Sequence, residues 1–106
     1  MIPLTNDAQL KDLYKESFTQ KMAILKHSST CPISARAYKV VIEALAHDRV
    51  KMPVYLVVVQ DYRDISNKIE EDLGITHESP QLLILKDAQV IGEANHYDIT
   101  EESFVL

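Results

Sequence analysis

The sequence holds few of several residue types: one cysteine and two glycines in 106 residues, and 11 lysines and arginines against 16 aspartates and glutamates, a formal net charge of −5. One cysteine forms no internal disulfide. That excludes a stapled secreted scaffold and leaves the thiol as inert core, metal ligand or nucleophile. The acidic balance lacks the basic stripe that displaces counterions from a phosphate backbone, so no nucleic acid is expected as a partner. No apolar run approaches the roughly 20 residues that cross a bilayer. The opening MIPLTNDAQLKD has neither the basic start nor the apolar middle of a secretory signal. A cytoplasmic chain without a membrane partner is the expectation. No repeat, low-complexity stretch or shift in composition divides the sequence, and its hydrophobic fraction of 46% suits a single core. One domain over residues 1–106 is expected.

What is present has clear periodicity. Asn6 followed by Gln9 marks a helix start, and Leu10, Leu13, Tyr14 and Phe18 recur on one helical face, predicting a helix over 7–19. KMAILK (21–26) is a short apolar run flanked by lysines, suited to a buried strand. HSSTCP interrupts with turn formers, and Pro32 has the fixed φ and missing N–H that suit a first helical position. The helix it opens, over 32–48, has Ile33, Ala37, Val41, Ala44 and Leu45 as its inward stripe. Pro53 precedes VYLVVVQ, dense in β-branched residues and too apolar for an edge facing water. A third helix places Ile65, Ile69 and Leu73 inward and ends at Gly74. QLLILK and QVIGEA, separated by a turn at Asp87 and Ala88, read as a hairpin, although Ala88 stands where glycine is common. Asp98 and Glu101 are the expected cap of a brief terminal helix holding Phe104. The order α, β, α, β, α, β, β, α predicts an α/β fold. Its four-stranded mixed sheet combines a right-handed parallel βαβ unit with an antiparallel hairpin, under helices on both faces.

Cys31 follows a strand and immediately precedes a proline-initiated helix. A sulfur there faces unsatisfied backbone N–H groups and the positive end of the helix dipole, both of which favour the thiolate. The gain in attack rate is modest, because nucleophilicity falls with basicity. The larger benefit is that a low-pKa thiolate leaves a mixed disulfide faster. Position 34 is serine, so no second thiol in the same helical turn resolves a Cys31 adduct, and the Ser34 hydroxyl is instead available to stabilise the thiolate. Thr30 and Pro32 flank the sulfur, mark a turn instead of a core strand, and join Ser34 as expected thiolate-stabilising residues. The chemistry expected is disulfide exchange with a low-molecular-weight thiol.

The strings KHSSTCPIS (26–34), VVVQDYRDISNKI (57–69) and HESPQLLILKDAQV (77–90) resemble the YtxJ-type monothiol bacilliredoxins, thioredoxin-like proteins of the bacillithiol system. The likeness runs from the first apolar strand to HYDIT (96–100). It implies a thioredoxin-like fold and removal of bacillithiol from mixed disulfides on S-thiolated client proteins. Bacillithiol is then the co-substrate, and no cofactor is held. The motif cysteine falls on Cys31, its spacing partner on Ser34 and the family's cis proline on Pro80. In such an arrangement the Ser79 backbone faces the sulfur and pairs with an extended substrate segment as an added strand would.

His27 and His77 flank the expected site in the folded order and are assigned with Ser79, Pro80 and Arg36 to substrate binding. Lys26, Arg36 and Lys39 are the nearest cations for the carboxylates of bacillithiol. His27 and Cys31 have the spacing of two metal ligands, but His47, His77 and His96 are scattered and no second cysteine exists, so no metal is expected. Two other readings use the same thiol: a non-catalytic thioredoxin-like binding module or thiol-modification sensor, and a peroxide-reducing enzyme.

Overall fold

The computed structural model describes residues 1–105. Its elements are β1 (Ile2–Pro3), α1 (Asp7–Glu16), β2 (Met22–His27), α2 (Pro32–Ala46), β3 (Val54–Val58), α3 (Arg63–Leu73), β4 (Gln81–Lys86) and β5 (Gln89–Asn95). Two 3-10 turns follow, at His96–Asp98 and Glu101–Phe104. The sheet order is β1-β3-β2-β4-β5, with β1, β3 and β2 parallel and β4 and β5 antiparallel. The α/β mixed sheet is as expected, but it has five strands where four were expected. The fifth is β1, whose Ile2 and Pro3 pair with Tyr55 and Leu56. Two residues, one a proline at a sheet edge, carry no alternation from which a strand is legible.

The period of two along the strands sorts the core into two layers. Met22, Ile24, Leu83 and Leu85 face Leu10 and Leu13 of α1 and Ile65 and Ile69 of α3. Ala23, Leu25, Leu82 and Ile84 face Ala37, Val41 and Ala44 of α2, together with Ile99 and Phe104. Helices therefore cover both faces.

Local chemistry sets the element ends. The Asn6 side chain accepts from the Gln9 N–H at 2.9 Å, while Gln9 Oε1 accepts from the Thr5 N–H at 2.8 Å, so two unsatisfied donors are closed at the start of α1. The helix stops at Glu16 instead of running to residue 19. Ser17 is fully buried at its end, where its carbonyl accepts from the Asp87 N–H and its hydroxyl from the Ala88 N–H, both at 2.8 Å. That junction binds the hairpin turn to α1 and swings Phe18 outward, 59% exposed, against the expected inward position. Gly74 closes α3 at φ 64°, as read from the sequence. Asp87 and Ala88 both adopt positive φ, 55° and 57°, the backbone of a two-residue hairpin.

Two more expectations are corrected. Leu45 is 37% exposed, because the inward stripe of α2 runs through Ser34, Ala37, Val41 and Ala44. The terminal turn is capped by Thr100 and Ser103, each side chain bonding the other's backbone, and not by Asp98 and Glu101; Phe104 is nonetheless buried.

Candidate functional site

The chain leaves β2 at His27, crosses Ser28–Thr30 and enters α2 at Pro32, with Cys31 as the N-cap residue. Pro32 at the first helical position needs no hydrogen bond for its nitrogen, so the amides left to face the cap are those of Ile33 and Ser34. Cys31 is a partly exposed free thiol. Its pKa is lowered chiefly by the Ser34 N–H, then the Ile33 N–H, with the Ser34 hydroxyl adding to them and partial desolvation opposing. The resting side chain makes no full cap hydrogen bond. The influence is that of amide dipoles grouped beside the sulfur, which favour its anion.

Ser34 is completely buried although it is polar, and its Oγ accepts from the Ser28 N–H at 3.2 Å. One side chain thus ties the approach loop to the helix while its own proton remains available to the sulfur. His27 lies half-buried beside it, with its ring 5.2 Å from that of Tyr38. Burial holds the His27 pKa down and the Ser34 backbone pulls it part of the way back.

Thr30 is turned elsewhere. Gln60, just beyond β3, donates to Ser28 Oγ at 2.7 Å and to Thr30 Oγ1 at 3.1 Å, and its carbonyl accepts from the Ser29 N–H at 3.2 Å. The loop before the cysteine is therefore bracketed by a glutamine from the neighbouring strand. Sequence reading missed Gln60, since a polar residue after an apolar strand looks like any loop residue.

The second wall comes from β4. Lys26 of β2 pairs with Gln81 of β4, so Pro80 enters the sheet at the end from which the chain departs toward Cys31. The Ser79–Pro80 bond is cis. The Pro80 carbonyl accepts from the His96 N–H at 3.0 Å, Ser79 takes no part in backbone pairing, and Ser79 Oγ is buried without a partner. His96, at φ 53°, also pairs with Glu78 at 3.2 Å. Arg36 donates to the Ile99 carbonyl at 3.4 Å and sits 5.5 Å above the ring of Tyr97, which is 61% exposed. The turn after β5 thus connects the Pro80 segment to the second turn of α2, a contribution from His96 and Tyr97 for which the sequence offered no signal.

His77 faces inward. Its Nδ1 is 3.2 Å from Lys26 Nζ and 3.3 Å from Ser66 Oγ, and its backbone N–H donates to Glu70. Lys26, expected as a surface cation near the ligand, is fully buried. Strand alternation aims it into the layer between the sheet and α3, where Glu70 offsets its charge. Among the described residues no three His, Cys, Asp or Glu side chains converge as a metal site, and no helix is long and apolar enough to cross a membrane.

Comparisons with known proteins bear on the family and the fold. The family model described as monothiol bacilliredoxin BrxC matches residues 2–104. A solved thioredoxin-fold protein is 33% identical, with a TM-score of 0.86 over 98% of this chain and 89% of that one. Fasciola hepatica thioredoxin superposes with a TM-score of 0.71 at 18% identity, covering 90% of this chain and 86% of its own. Mitochondrial thioredoxin 3 from Saccharomyces cerevisiae gives 0.70 at 20% identity, covering 89% and 81%. The last two likenesses concern the fold.

Proposed function

Because this chain belongs to the monothiol bacilliredoxin family, a family of thiol-disulfide chemistry, we propose that Cys31 takes bacillithiol, or a similar low-molecular-weight thiol, from mixed disulfides on client proteins. The Cys31 thiolate attacks the small-thiol sulfur of the client's disulfide. A new Cys31–small-thiol disulfide forms, the old bond breaks, and the client sulfur leaves as a thiolate that takes up a proton. A second small thiol, as its thiolate, then attacks the adduct. Cys31 is released reduced, together with the symmetrical small-thiol disulfide, so the two electrons come from the small thiols. The co-substrate is bacillithiol and the setting is the cytoplasm.

The observation that carries this reading is the partly exposed Cys31 sulfur beside the Ser34 and Ile33 amides, with its pKa lowered and serine at position 34. In the first step Ser34 and the helix start stabilise the attacking thiolate; in the second they make it a better leaving group. Pro32 keeps the start of the helix open. Ser79, with a free backbone and an unpartnered hydroxyl, is the proposed docking edge for the client segment. Arg36, positioned by Tyr97 and the Ile99 carbonyl, is the proposed partner for a ligand carboxylate.

Intact-mass measurement after mixing with a bacillithiolated client tests the proposal. The expected result is one bacillithiol adduct on Cys31 with stoichiometric release of client thiol. An unmodified protein beside an unchanged client refutes it. The lone thiol also fits a single-turnover sensor, which the same mixture separates once bacillithiol and a system that reduces its disulfide are added. Repeated turnover supports the exchanger, and one equivalent followed by arrest supports the sensor.

A further inference from the structure

Lys26 has 0% exposure. An ammonium is seldom found so deep without partners, because an unpaired charge is costly to take out of water. Its partner lies across the fold. His77, 51 residues later, offers Nδ1 at 3.2 Å. Ser66 Oγ approaches the same nitrogen at 3.3 Å. Burial lowers the Lys26 pKa and Glu70 draws it back up. As an ammonium Lys26 can only donate, which makes Nδ1 the acceptor and puts the proton of a neutral His77 ring on Nε2.

The segment between α3 and β4 has no backbone ladder of its own, so side chains must set its position. Three buried or half-buried polar groups converge on two consecutive residues. Lys26 holds the His77 ring, Glu70 accepts from the His77 N–H, and Gln81 donates to the Thr76 carbonyl at 3.0 Å. Gln81 is fully buried and directly opposite Lys26 in the β2–β4 register, so both side chains project from the same end and face of the sheet. The gripped residues lie just before Ser79. Gln81 also donates to Glu93 of β5 at 3.1 Å, so it ties the loop to the edge hairpin while Lys26 ties it to the sheet centre. An apolar pair at positions 26 and 81 would serve the core as well, and a polar pair whose members both reach the same loop implies that the loop's placement is secured by them.

We propose that Lys26, acting through His77 and aided by Gln81, is a positioning residue that fixes the Ser79–Pro80 docking edge relative to Cys31. The inference rests on the function proposed above and deepens it. The clamp governs engagement of the client's disulfide and leaves the intrinsic reactivity of the Cys31 sulfur alone. The groups facing the His77 ring and Lys26 are Ser66 and Glu70 of α3, Glu78 of the same loop, and Arg63 at the start of α3. None is the thiol or a group that stabilises it.

The test compares the parent with Lys26→Met and His77→Ala in the full chain. The second variant empties the loop side of the clamp without altering the sheet, and carries the test if the first fails to fold. Three quantities are read: the rate of bacillithiol removal from a bacillithiolated peptide, the pH profile of Cys31 alkylation by a neutral reagent, and protection of the backbone amide at position 77 from hydrogen exchange. In both variants peptide dethiolation should fall by roughly 10- to 100-fold, the cost of a small displacement of positioning groups. The alkylation profile should not move, and protection of the amide at position 77 should drop. Nitrogen NMR of the parent should show an unprotonated His77 Nδ1. Equal losses in dethiolation and alkylation, or unchanged dethiolation, overturn the positioning role. A parent that never takes the small thiol refutes the proposed function, whereas protection of the amide at position 77 judges the clamp independently: lost in the variants it supports the clamp, unchanged it overturns it.

Discussion

Replacing Ser34 with alanine separates the hydroxyl from the backbone amide, the two ways in which this residue acts on the sulfur. The side chain is fully buried, and its Oγ is the acceptor for the Ser28 N–H at 3.2 Å. Its removal leaves that donor unpaired at a half-buried position. The cost should fall in the lower part of the usual range for an orphaned donor, about 1–2 kcal/mol. In a chain near 100 residues that lowers Tm by roughly 5–15 °C. The main influence on Cys31 is the Ser34 N–H, followed by the Ile33 N–H, and both survive the substitution. Only the smallest contribution, the hydroxyl, is lost. The midpoint of Cys31 alkylation against pH should therefore rise and still stay below that of an ordinary thiol. Alkylation by a neutral reagent across a pH series, followed by intact mass, measures it; thermal unfolding of the same samples measures the stability cost. A midpoint that reaches the ordinary thiol value shows that the amides do nothing. An unmoved midpoint shows that the hydroxyl does nothing.

Other substitutions and conditions test separate parts of the argument. Ser34→Cys gives the Cys31 adduct an internal attacker, so incubation with oxidised bacillithiol should leave a protein without adduct and lighter by two hydrogens. A persistent adduct under those conditions contradicts the placement of position 34 beside the sulfur. Gly74→Ala meets nothing within 4 Å but must hold φ +64°, so a purely conformational cost of about 1–2 kcal/mol is expected in denaturant unfolding, and no loss would mean that the cap adjusts. His27 and His77 both have pKa values lowered from 6.5, first by burial. The unfolded chain therefore binds their protons at a pH where the folded chain does not. Stability should be fully present above about pH 7 and decline as pH falls through 6.5 toward the folded values. Glutamine at both positions should flatten that decline in denaturant titrations at stepped pH.

Signals confined to a few neighbouring residues were legible in the sequence. Asn6 and Gln9 announce α1, Pro32 opens α2, Gly74 ends α3, and the Asp87–Ala88 turn separates two runs that can only be strands. Cys31 and Ser34 belong to the same class, since one helical turn brings them together whatever the rest of the fold does. The signal failed where a residue's environment depends on a distant segment. Phe18 continues the apolar face of α1 by spacing, but Ser17 is claimed by the backbone of a turn some 70 residues away and the helix ends there. Lys26 follows an apolar run and so reads as a solvent-facing terminus. Its burial depends on His77, 51 positions later, and on Glu70. Gln60 reaches back 30 and 32 residues to Thr30 and Ser28, a contact that only the parallel pairing of β2 and β3 creates. Periodicity records what faces the core and says nothing about which polar group waits there.

Alternation along β2 divides the proposed task between the two faces of the sheet. His27 projects toward α2, where it packs against Tyr38 near Ser34, so the end of this strand supports the side of the site that holds the sulfur. Lys26, one residue earlier, projects to the opposite face and grips the loop that leads to Ser79. A disulfide exchanger with one cysteine needs these functions kept apart. Its thiolate must serve as attacker in one step and leaving group in the next, so its electrostatic surroundings should stay constant while clients of different shape come and go. Mounting the proposed docking edge on a separate layer, through partners that make no contact with the thiol, lets the edge be held in place against clients without changing the pKa of the sulfur. The two layers meet at the end of one strand, where a shift of one residue in register would exchange the lysine and the histidine and disable both sides of the site.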